Sequence, residues 1–378
     1  MVMRLLILYA AVHGRGHKSA GDALATALRK RSDVDVVRSE DALDYGVPLY
    51  KKLYGLFYRE LSENLPAIWE RIYDASDGDD ESFLNSLRLL LDRLGVRELD
   101  DLIEEFKPDA VICTHFLPLN ILSWYRQKQK MSVPVYGVVT DYAGHLYWVA
   151  DEVDGYFVPS TTAKTMLESR GVPRHRISVT GIPVDPALPQ AEDAAHLCER
   201  HGIERQPVIT FVCSAMDGDR VRTVVEGVKK TVSSGTFIVV PGRNSDAEEA
   251  TRGLERSSGL ETRILSGFVD YLEELIAASD LVITKAGGLI VSEIIAQGVP
   301  LLLLDPLRGQ EEWNADYIVG TGAGVQTRVA DMVPGVIGSL IQDPQRLELM
   351  KRRADEAGTP DAASRIAELI VTGAGQSG

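Results

Sequence analysis

Short apolar runs alternate along the chain with longer segments that have the spacing of amphipathic helices. The runs are continuous rather than alternating with polar residues, which is typical of strands covered on both faces of a parallel sheet. They occupy residues 5–11, 109–113, 134–140, 155–159 and 177–182, and then 207–213, 236–242, 262–268, 280–288 and 300–306. Over 19–31, helical spacing is shown by Ala20, Ala23, Leu24, Ala27 and Leu28. The pattern predicts an α/β fold.

The runs divide about equally between the two halves of the chain, which predicts two Rossmann-like, doubly wound domains. Gly181, Pro183 and Pro186 punctuate the chain just after the last run of the first half and mark the join. We predict an N-terminal acceptor or lipid domain over 1–183 and a C-terminal UDP-sugar domain over 184–355. A C-terminal helix and loose tail over 356–378 could pack back on the N-terminal domain. Because ligands bind beyond the carboxyl ends of parallel strands, we expect a site in a central cleft between the facing domains.

Composition narrows the classes of function. The chain has 378 residues, of which 45% are hydrophobic, and 40 Lys and Arg against 55 Asp and Glu give a net charge of −15. This balance argues against nucleic acid as a partner, since phosphate contacts need concentrated basic residues. Cys113, Cys198 and Cys213 are far apart, which excludes a disulfide framework or a structural zinc site. No apolar run approaches the roughly 20 residues that span a bilayer, so we expect a cytoplasmic protein.

The first candidate motif, residues 13–19, connects the first predicted strand to the first predicted helix. Its glycines, Gly16 among them, permit a tight turn, and the helix N-terminus offers N–H groups to a polar ligand. Ser19 stands where a dinucleotide fingerprint would need glycine. His17 is placed to act from this loop, and the alternative is a histidine that only caps or packs.

A second motif pairs Asp141 with His145 after another strand. The two could form a base and its orienting partner or bind a polyol. The alternative is an Asx-turn followed by a solvated histidine.

An aromatic and basic segment lies over 45–73. Basic and aromatic side chains interleave there, as in membrane-surface segments: Lys51, Lys52, Tyr54, Phe57, Tyr58 and Arg59. The alternative is an ordinary pair of packed helices, because Glu60, Glu63 and Glu70 dilute the basic face.

The most specific motif runs from 284 to 314. Gly287 and Gly288 follow a strand and open a helix, whose N–H groups suit phosphates. Glu293, about one and a half turns later, could accept hydrogen bonds from ribose hydroxyls. Gln310 and Glu311 follow the next strand. A purely structural interpretation must account for two polar clusters at adjacent strand ends.

The sequence resembles the monogalactosyldiacylglycerol synthases and processive diacylglycerol glucosyltransferases of glycosyltransferase family 28. The resemblance extends over most of the chain and rests on GRGH (14–17), LYKKLYGLFYR (49–59), TDYAGHLYWV (140–149), VTGIPVDP (179–186), PGRNS (241–245), ITKAGGLIVSE (283–293) and PLRGQEEWNADYIV (306–319). It implies the GT-B fold and transfer of a hexose from a UDP-sugar with inversion.

The resemblance also implies residue roles on the acceptor side. His17 matches the proposed base for the acceptor hydroxyl, while Asp141 and His145 match an element near the acceptor. Trp148 follows and would wall an acceptor groove.

On the donor side, the resemblance assigns positions around each part of the UDP-sugar. These are Gly16 in the first loop, Arg243 in the GRN element, Phe268 and Val269 beside the uracil, Gly287 and Gly288 at the phosphates, Glu293 at the ribose, and Gln310, Glu311 and Asn314 at the sugar.

Two departures bear on the substrate. Over 213–218, relatives carry a glycine-richer phosphate loop, whereas Gly218 is the only glycine here, so Ser214 would have to assist. Arg308 stands where relatives often have a less charged residue.

These observations lead us to expect an inverting UDP-hexose transferase that acts on a lipid, diacylglycerol, at an anionic membrane surface on the cytoplasmic side. Helix-terminus N–H groups can stabilise the departing diphosphate, so no metal or other cofactor is required. Two alternatives remain: a UDP-sugar epimerase or hydrolase of the same fold, and a regulatory protein that binds a UDP-sugar without turnover.

Overall fold

A computed structural model of the chain describes residues 2–11, 16–47, 50–51, 96, 98–190, 193–204, 206–255, 259–304, 306 and 309–374. The chain folds as two compact units. Unit 1 comprises Met1–Pro186, Leu307–Trp313 and Pro360–Gly378, and unit 2 comprises Ala187–Pro306 and Asn314–Thr359.

Unit 1 is built on a six-stranded, entirely parallel sheet in the order β2-β1-β3-β4-β5-β6. Its strands are β1 (Met3–Tyr9), β2 (Val34–Asp41), β3 (Ala110–Cys113), β4 (Val135–Val138), β5 (Gly155–Val158) and β6 (Ile177–Val179). The strand order reverses between β1 and β3, the switch point beyond which open α/β sheets bind ligands.

Helices cover both faces of this sheet. They are α1 (Gly16–Arg29), α2 (Leu99–Phe106), α3 (Phe116–Gln127), α4 (Thr161–Ser169) and α13 (Ala362–Ala374). Alternate residues of β1 enter two different hydrophobic clusters: Leu6 and Leu8 pack with α2 and α3, while Leu5 and Ile7 pack with α1 and α13. This two-sided burial explains why the strand is a continuous apolar run.

Unit 2 has a six-stranded sheet of its own, again entirely parallel, in the order β12-β11-β10-β7-β8-β9. Its strands are β7 (Val208–Val212), β8 (Thr236–Gly242), β9 (Glu261–Ser266), β10 (Leu281–Thr284), β11 (Leu301–Leu304) and β12 (Gly324–Thr327). The switch point lies between β7 and β10.

The helices of unit 2 are α5 (Ala194–Arg200), α6 (Gly218–Thr231), α7 (Ser245–Thr251), α8 (Leu272–Ala277), α9 (Gly288–Ala296), α11 (Val333–Ile341) and α12 (Pro344–Ala357). One further helix, α10 (Gln310–Thr321), begins in unit 1 and ends in unit 2. On β8, Phe237 and Val239 enter one cluster and Ile238 and Val240 the other.

The predicted fold class is confirmed: each unit is a doubly wound α/β domain with a parallel sheet. All ten apolar runs form strands, and helix α1 buries the five apolar residues of the predicted face. The edge strands β2 and β12 were not predicted. Both contain polar residues and positions that are not buried, and so lack a continuous apolar run.

The C-terminal helix α13 packs on α1 within unit 1. Its apolar side chains join those of α1 and β1 in one cluster: Ala363, Ile366, Ala367 and Ile370. Arg365 adds a hydrogen bond of 3.1 Å to the carbonyl of Val179. In the part of the chain that the structure describes, no helix is long and apolar enough to cross a membrane.

Candidate active site

His17 lies in the first turn of α1, directly beyond the carboxyl end of β1 at the switch point of unit 1. It forms a reciprocal pair with Thr114, which follows the neighbouring strand β3. The His17 Nδ1 atom lies 2.8 Å from the Thr114 carbonyl oxygen, and the Thr114 hydroxyl donates to the His17 carbonyl at 2.8 Å. Both the ring and the backbone of His17 are therefore held by one residue.

The same ring nitrogen also contacts Thr140, which follows β4, with the Thr140 Oγ1 atom 2.9 Å from His17 Nδ1. A carbonyl oxygen can only accept a hydrogen bond, so the contact with Thr114 requires a proton on Nδ1. In the neutral ring the lone pair then lies on Nε2, which forms no hydrogen bond with the part of the chain that is described. The arrangement leaves Nε2 able to accept a proton.

The surroundings of His17 set its protonation. Burial lowers the pKa of His17 below its ordinary value, and the Asp141 carboxylate and the Thr114 carbonyl act in the opposite direction. The ring of His115 meets that of His17 edge-on, with centroids 4.5 Å apart. The neutral form is therefore favoured near pH 7, as a general base requires.

His145 is placed differently from His17. Its side chain is 7% exposed, and its Nδ1 atom accepts from the backbone N–H of Tyr147 at 3.1 Å, which caps a short 3₁₀ helix over Leu146–Trp148. A neutral ring that accepts at Nδ1 carries its proton on Nε2, the opposite tautomer to that of His17. The predicted partner of His145, Asp141, acts electrostatically on His17.

Trp148, which was predicted to wall an acceptor groove, is 2% exposed and belongs to the core of unit 1. Its ring packs edge-on against Phe116, with centroids 6.2 Å apart. Asn120 joins the same layer by donating to the carbonyls of Phe116 and Tyr147 at 2.8 and 2.9 Å. The structure thus corrects this assignment, because the buried indole has no surface to offer to a lipid or a membrane.

Of the six basic and aromatic residues singled out in the predicted membrane segment, the structure describes Lys51. Its ammonium group pairs with Asp44 and, at 3.8 Å, with Asp41, and the hydrogen bond that it donates to Asp44 raises the pKa of Lys51. Its charge is therefore already compensated within the protein. Lys52, Tyr54, Phe57, Tyr58 and Arg59 lie outside the described residues.

In unit 2, helix α9 begins at the predicted phosphate turn. Its N-cap is Gly287, which has no side chain to bond the first N–H groups, and its first turn contains no acidic residue. Asn314, fully buried, donates to the carbonyl of Ala286 at 2.9 Å and so holds the residue before the turn. Glu293 is half-buried one and a half turns into the helix. Asn314, predicted at the sugar, thus supports the turn from within.

Helix α6, which follows β7, has its N-terminus occupied by carboxylates. Asp217 caps it through the N–H of Arg220 at 3.0 Å, and Asp246 accepts from the N–H of Gly218 at 2.6 Å. A Cβ atom on Gly218 would lie 2.9 Å from the Asp246 carbonyl oxygen, so the two loops approach closely. Ser214 is exposed at the end of β7, 3.2 Å from where a Cβ of Gly242 would be. The first turn of α6 is therefore negatively charged, unlike that of α9.

Arg243, which the resemblance assigned to the GRN element of the donor domain, lies beside Phe268, which it assigned to the uracil. The guanidinium carbon of Arg243 is 5.1 Å from the centre of the Phe268 ring, and the ring is 61% exposed. Val269, the next residue, packs against a hydrophobic cluster of unit 2. An exposed aromatic ring backed by a cation offers a stacking face to a planar ligand.

Gln310 and Glu311 form the first turn of α10 and are half-buried. Gly16 is the first residue of α1, next to His17.

Among the described residues, no three histidine, cysteine or acidic side chains lie together as a metal ion would need.

Thr114, His115 and Thr140 were not among the predicted site residues. They are 97 to 123 positions from His17, and only the order of strands in the sheet brings them next to it. The signal that could have identified them is their position directly after apolar runs that end at the switch point.

Two family models match the chain. Residues 17–184 match the model described as monogalactosyldiacylglycerol (MGDG) synthase, and residues 151–371 match that of UDP-N-acetylglucosamine 2-epimerase. Among relatives, the processive diacylglycerol beta-glucosyltransferase of Bacillus cereus (strain AH187) is 27% identical over 97% of this chain and 93% of its own length.

Solved structures share the fold. MurG of Acinetobacter baumannii superposes with a TM-score of 0.64 at 14% identity, over 98% of this chain and 99% of its own. UDP-GlcNAc 2-epimerase from Neisseria meningitidis, bound to UDP-GlcNAc, superposes with a TM-score of 0.61 at 18% identity, over 98% of this chain and 100% of its own. The fold is GT-B.

Proposed function

We propose a function from one premise: the chain belongs to the family of monogalactosyldiacylglycerol synthases and processive diacylglycerol glucosyltransferases, and its second half belongs to that of UDP-N-acetylglucosamine 2-epimerase. We infer that it is a glycosyltransferase that takes a sugar from a UDP-sugar and transfers it to a lipid. In finer detail, we propose that the sugar is a hexose, that the acceptor is diacylglycerol, and that transfer inverts the anomeric centre.

The observation that carries the proposal is the state of His17. An inverting transfer needs one base that removes the proton of the acceptor hydroxyl while its oxygen attacks C1 of the sugar. The bond between C1 and the diphosphate oxygen breaks, and UDP leaves with the electron pair. His17 offers a neutral ring with the lone pair on Nε2, as this step requires.

The departing diphosphate needs positive electrostatic potential where its charge develops. Helix α9 supplies it through N–H groups that no side chain of its N-cap occupies. The carboxylates at α6 make that helix unsuitable, so α9 is the phosphate site in this proposal. We assign Glu293 to the ribose, Arg243 and Phe268 to the uracil, and Gln310 and Glu311 to the sugar.

We further propose that the protein works at the cytoplasmic face of the membrane, to which it attaches peripherally. The support is the lipid acceptor named for the relatives and the aromatic and basic composition of residues 45–73.

A second candidate is epimerisation or hydrolysis of the UDP-sugar, which is favoured by the match of residues 151–371 to the epimerase family. Neither reaction consumes a lipid. The discriminating experiment is to incubate the protein with UDP-glucose, UDP-galactose or UDP-N-acetylglucosamine, with and without diacylglycerol vesicles, and to identify products by mass spectrometry.

A hexosylated diacylglycerol, with UDP release that depends on the vesicles, would support the transferase. UDP release or a new UDP-sugar epimer without lipid would instead establish the alternative. No product under any condition, with UDP still bound, would favour a regulatory binding protein.

A further inference from the structure

We infer that Thr140 is a positioning residue for His17: together with the Thr114 carbonyl, its hydroxyl oxygen determines which ring nitrogen of His17 exchanges a proton. The catalytic consequence rests on the proposed function, in which His17 is the base. The geometric part does not, since it concerns the free protein.

Two oxygen atoms lie within hydrogen-bond distance of the same ring nitrogen of His17. The Thr114 carbonyl and the Thr140 hydroxyl oxygen lie 2.8 and 2.9 Å from His17 Nδ1. The carbonyl cannot donate, so the single proton between these atoms belongs to Nδ1, and the Thr140 oxygen faces it with a lone pair. A ring nitrogen with two acceptors around it keeps its proton in both the neutral and the cationic ring. Proton exchange is therefore confined to Nε2.

Both partners are rigid. Thr140 is 4% exposed and Thr114 is fully buried, and each follows a central strand of the sheet of unit 1. A β-branched side chain with few χ1 states, held at a strand end, loses little entropy when it orients another group. The ring of His17 is thus oriented by residues that follow strands of the sheet of unit 1.

The groups that orient the His17 ring are neutral, whereas ionisable groups lie nearby. Among the described residues, the ionisable groups that face the ring are the Asp141 carboxylate and the ring of His115. Thr140 adds an acceptor without a charge, so it orients the ring with less stabilisation of the cation than a carboxylate would give. His17 can therefore stay neutral at working pH while its tautomer remains fixed.

The test compares Thr140→Val, which keeps the shape and removes the oxygen, with Thr140→Ser, which keeps the oxygen. The ¹⁵N resonances of His17 in the free protein report the tautomer and the pKa. We expect wild type and Thr140→Ser to be protonated at Nδ1. In Thr140→Val we expect a larger share of the Nε2-protonated form and a lower pKa of His17, because the cationic ring loses a hydrogen-bond acceptor.

Kinetics supply the second readout. We expect Thr140→Val to lower kcat about 10- to 100-fold with little change in KM, the size of loss seen when an orienting partner of a ligating histidine is removed. Thr140→Ser should have a kcat close to that of the wild type. In Thr140→Val, the acidic limb of the plot of rate against pH should move to lower pH. Thr262→Val in unit 2 is the matched control, because the Thr262 hydroxyl is buried without a hydrogen bond in the described structure.

The inference is overturned if folded Thr140→Val keeps the wild-type tautomer and pKa of His17, or if Thr140→Ser and Thr140→Val are equally impaired. If wild-type protein transfers no sugar, the proposed function fails, and the ¹⁵N measurements still decide the part played by Thr140. Unfolding of Thr140→Val is detected by circular dichroism, and Thr140→Ala then replaces it in both measurements.

Discussion

The guanidinium of Arg243 lies against the ring of Phe268, 5.1 Å from its centre, although the two residues come from loops after different strands, β8 and β9. The ring is 61% exposed, which is unusual for phenylalanine in a folded protein without a ligand. The proposed uracil site is tested through this ring.

We expect Phe268→Ala to weaken UDP binding by about 1–3 kcal/mol, the usual contribution of a base stacked on an aromatic side chain. Isothermal calorimetry measures this directly. Val329→Ala, at another exposed apolar position of unit 2, is the control and should bind UDP as wild type does. Equal affinities for all three proteins would remove Phe268 from the site.

Replacement of Glu293 by alanine should weaken UDP binding by about 1.5–3 kcal/mol, since a carboxylate that accepts from ribose hydroxyls forms charge-assisted hydrogen bonds. The Glu293→Ala mutation should weaken the binding of the deoxy analogue of UDP less than that of UDP, because the analogue lacks one of the two ribose hydroxyls that donate to Glu293. An unchanged difference between the two ligands would show that Glu293 does not contact the ribose.

His17→Ala should lose about 10²–10⁴-fold in kcat while its UDP affinity is retained, because it removes a base and leaves the donor site intact. The base works only when unprotonated, so the rate must fall as pH falls through the pKa of His17. Burial lowers that pKa, so the fall should begin at lower pH than for a free imidazole. A rate profile with its acidic limb above pH 7 would argue against this assignment.

His145 should behave differently, because its Nδ1 atom is used as a helix cap. His145→Asn, which can still accept from the Tyr147 N–H, should retain most of kcat, whereas His145→Ala should raise the KM for the acceptor and lower stability by about 1 kcal/mol, the usual cost of a lost cap. A loss of kcat in His145→Asn as large as in His17→Ala would make His145 the base.

Activity should survive chelation, since the N-terminus of α9 can carry the diphosphate charge without a cation. Turnover would be compared in EDTA, in magnesium and in manganese. Complete loss in EDTA that either ion reverses would show that a metal completes the phosphate site.

The sequence predicted most strands because both faces of each sheet are covered, so that central strands are uninterrupted apolar runs. It missed β2 and β12 because polar residues and positions that are not buried interrupt the apolar pattern of these two strands. A separate prediction, which rested on the position of Trp148 just after His145, placed it in a groove, whereas a short 3₁₀ turn directs its indole into the core.

Local sequence patterns select candidate residues for the site, but they do not give the contacts of those residues. Glycines and acids after strands could be read locally, which is how Gly287 and Glu293 were selected. The contacts of Thr114 and Thr140 with His17 could not be predicted in this way, because they join loops about a hundred residues apart. The glycine-poor segment 213–218 indicated a weakened phosphate loop, and the structure adds that Asp217 and Asp246 occupy the helix terminus there.

The packing of α13 on α1 has a consequence for biosynthesis. Leu24 and Leu28 of α1 share a cluster with Ile366 and Ile370, so the core of unit 1 is incomplete until α13 has been made. Domains usually fold in the order in which the ribosome delivers them. Here the strands of unit 2 all emerge before that helix, so the unit translated first is the one completed last. A ribosome stalled before residue 362 would hold a nascent chain with an uncovered apolar face on α1, a target for chaperones.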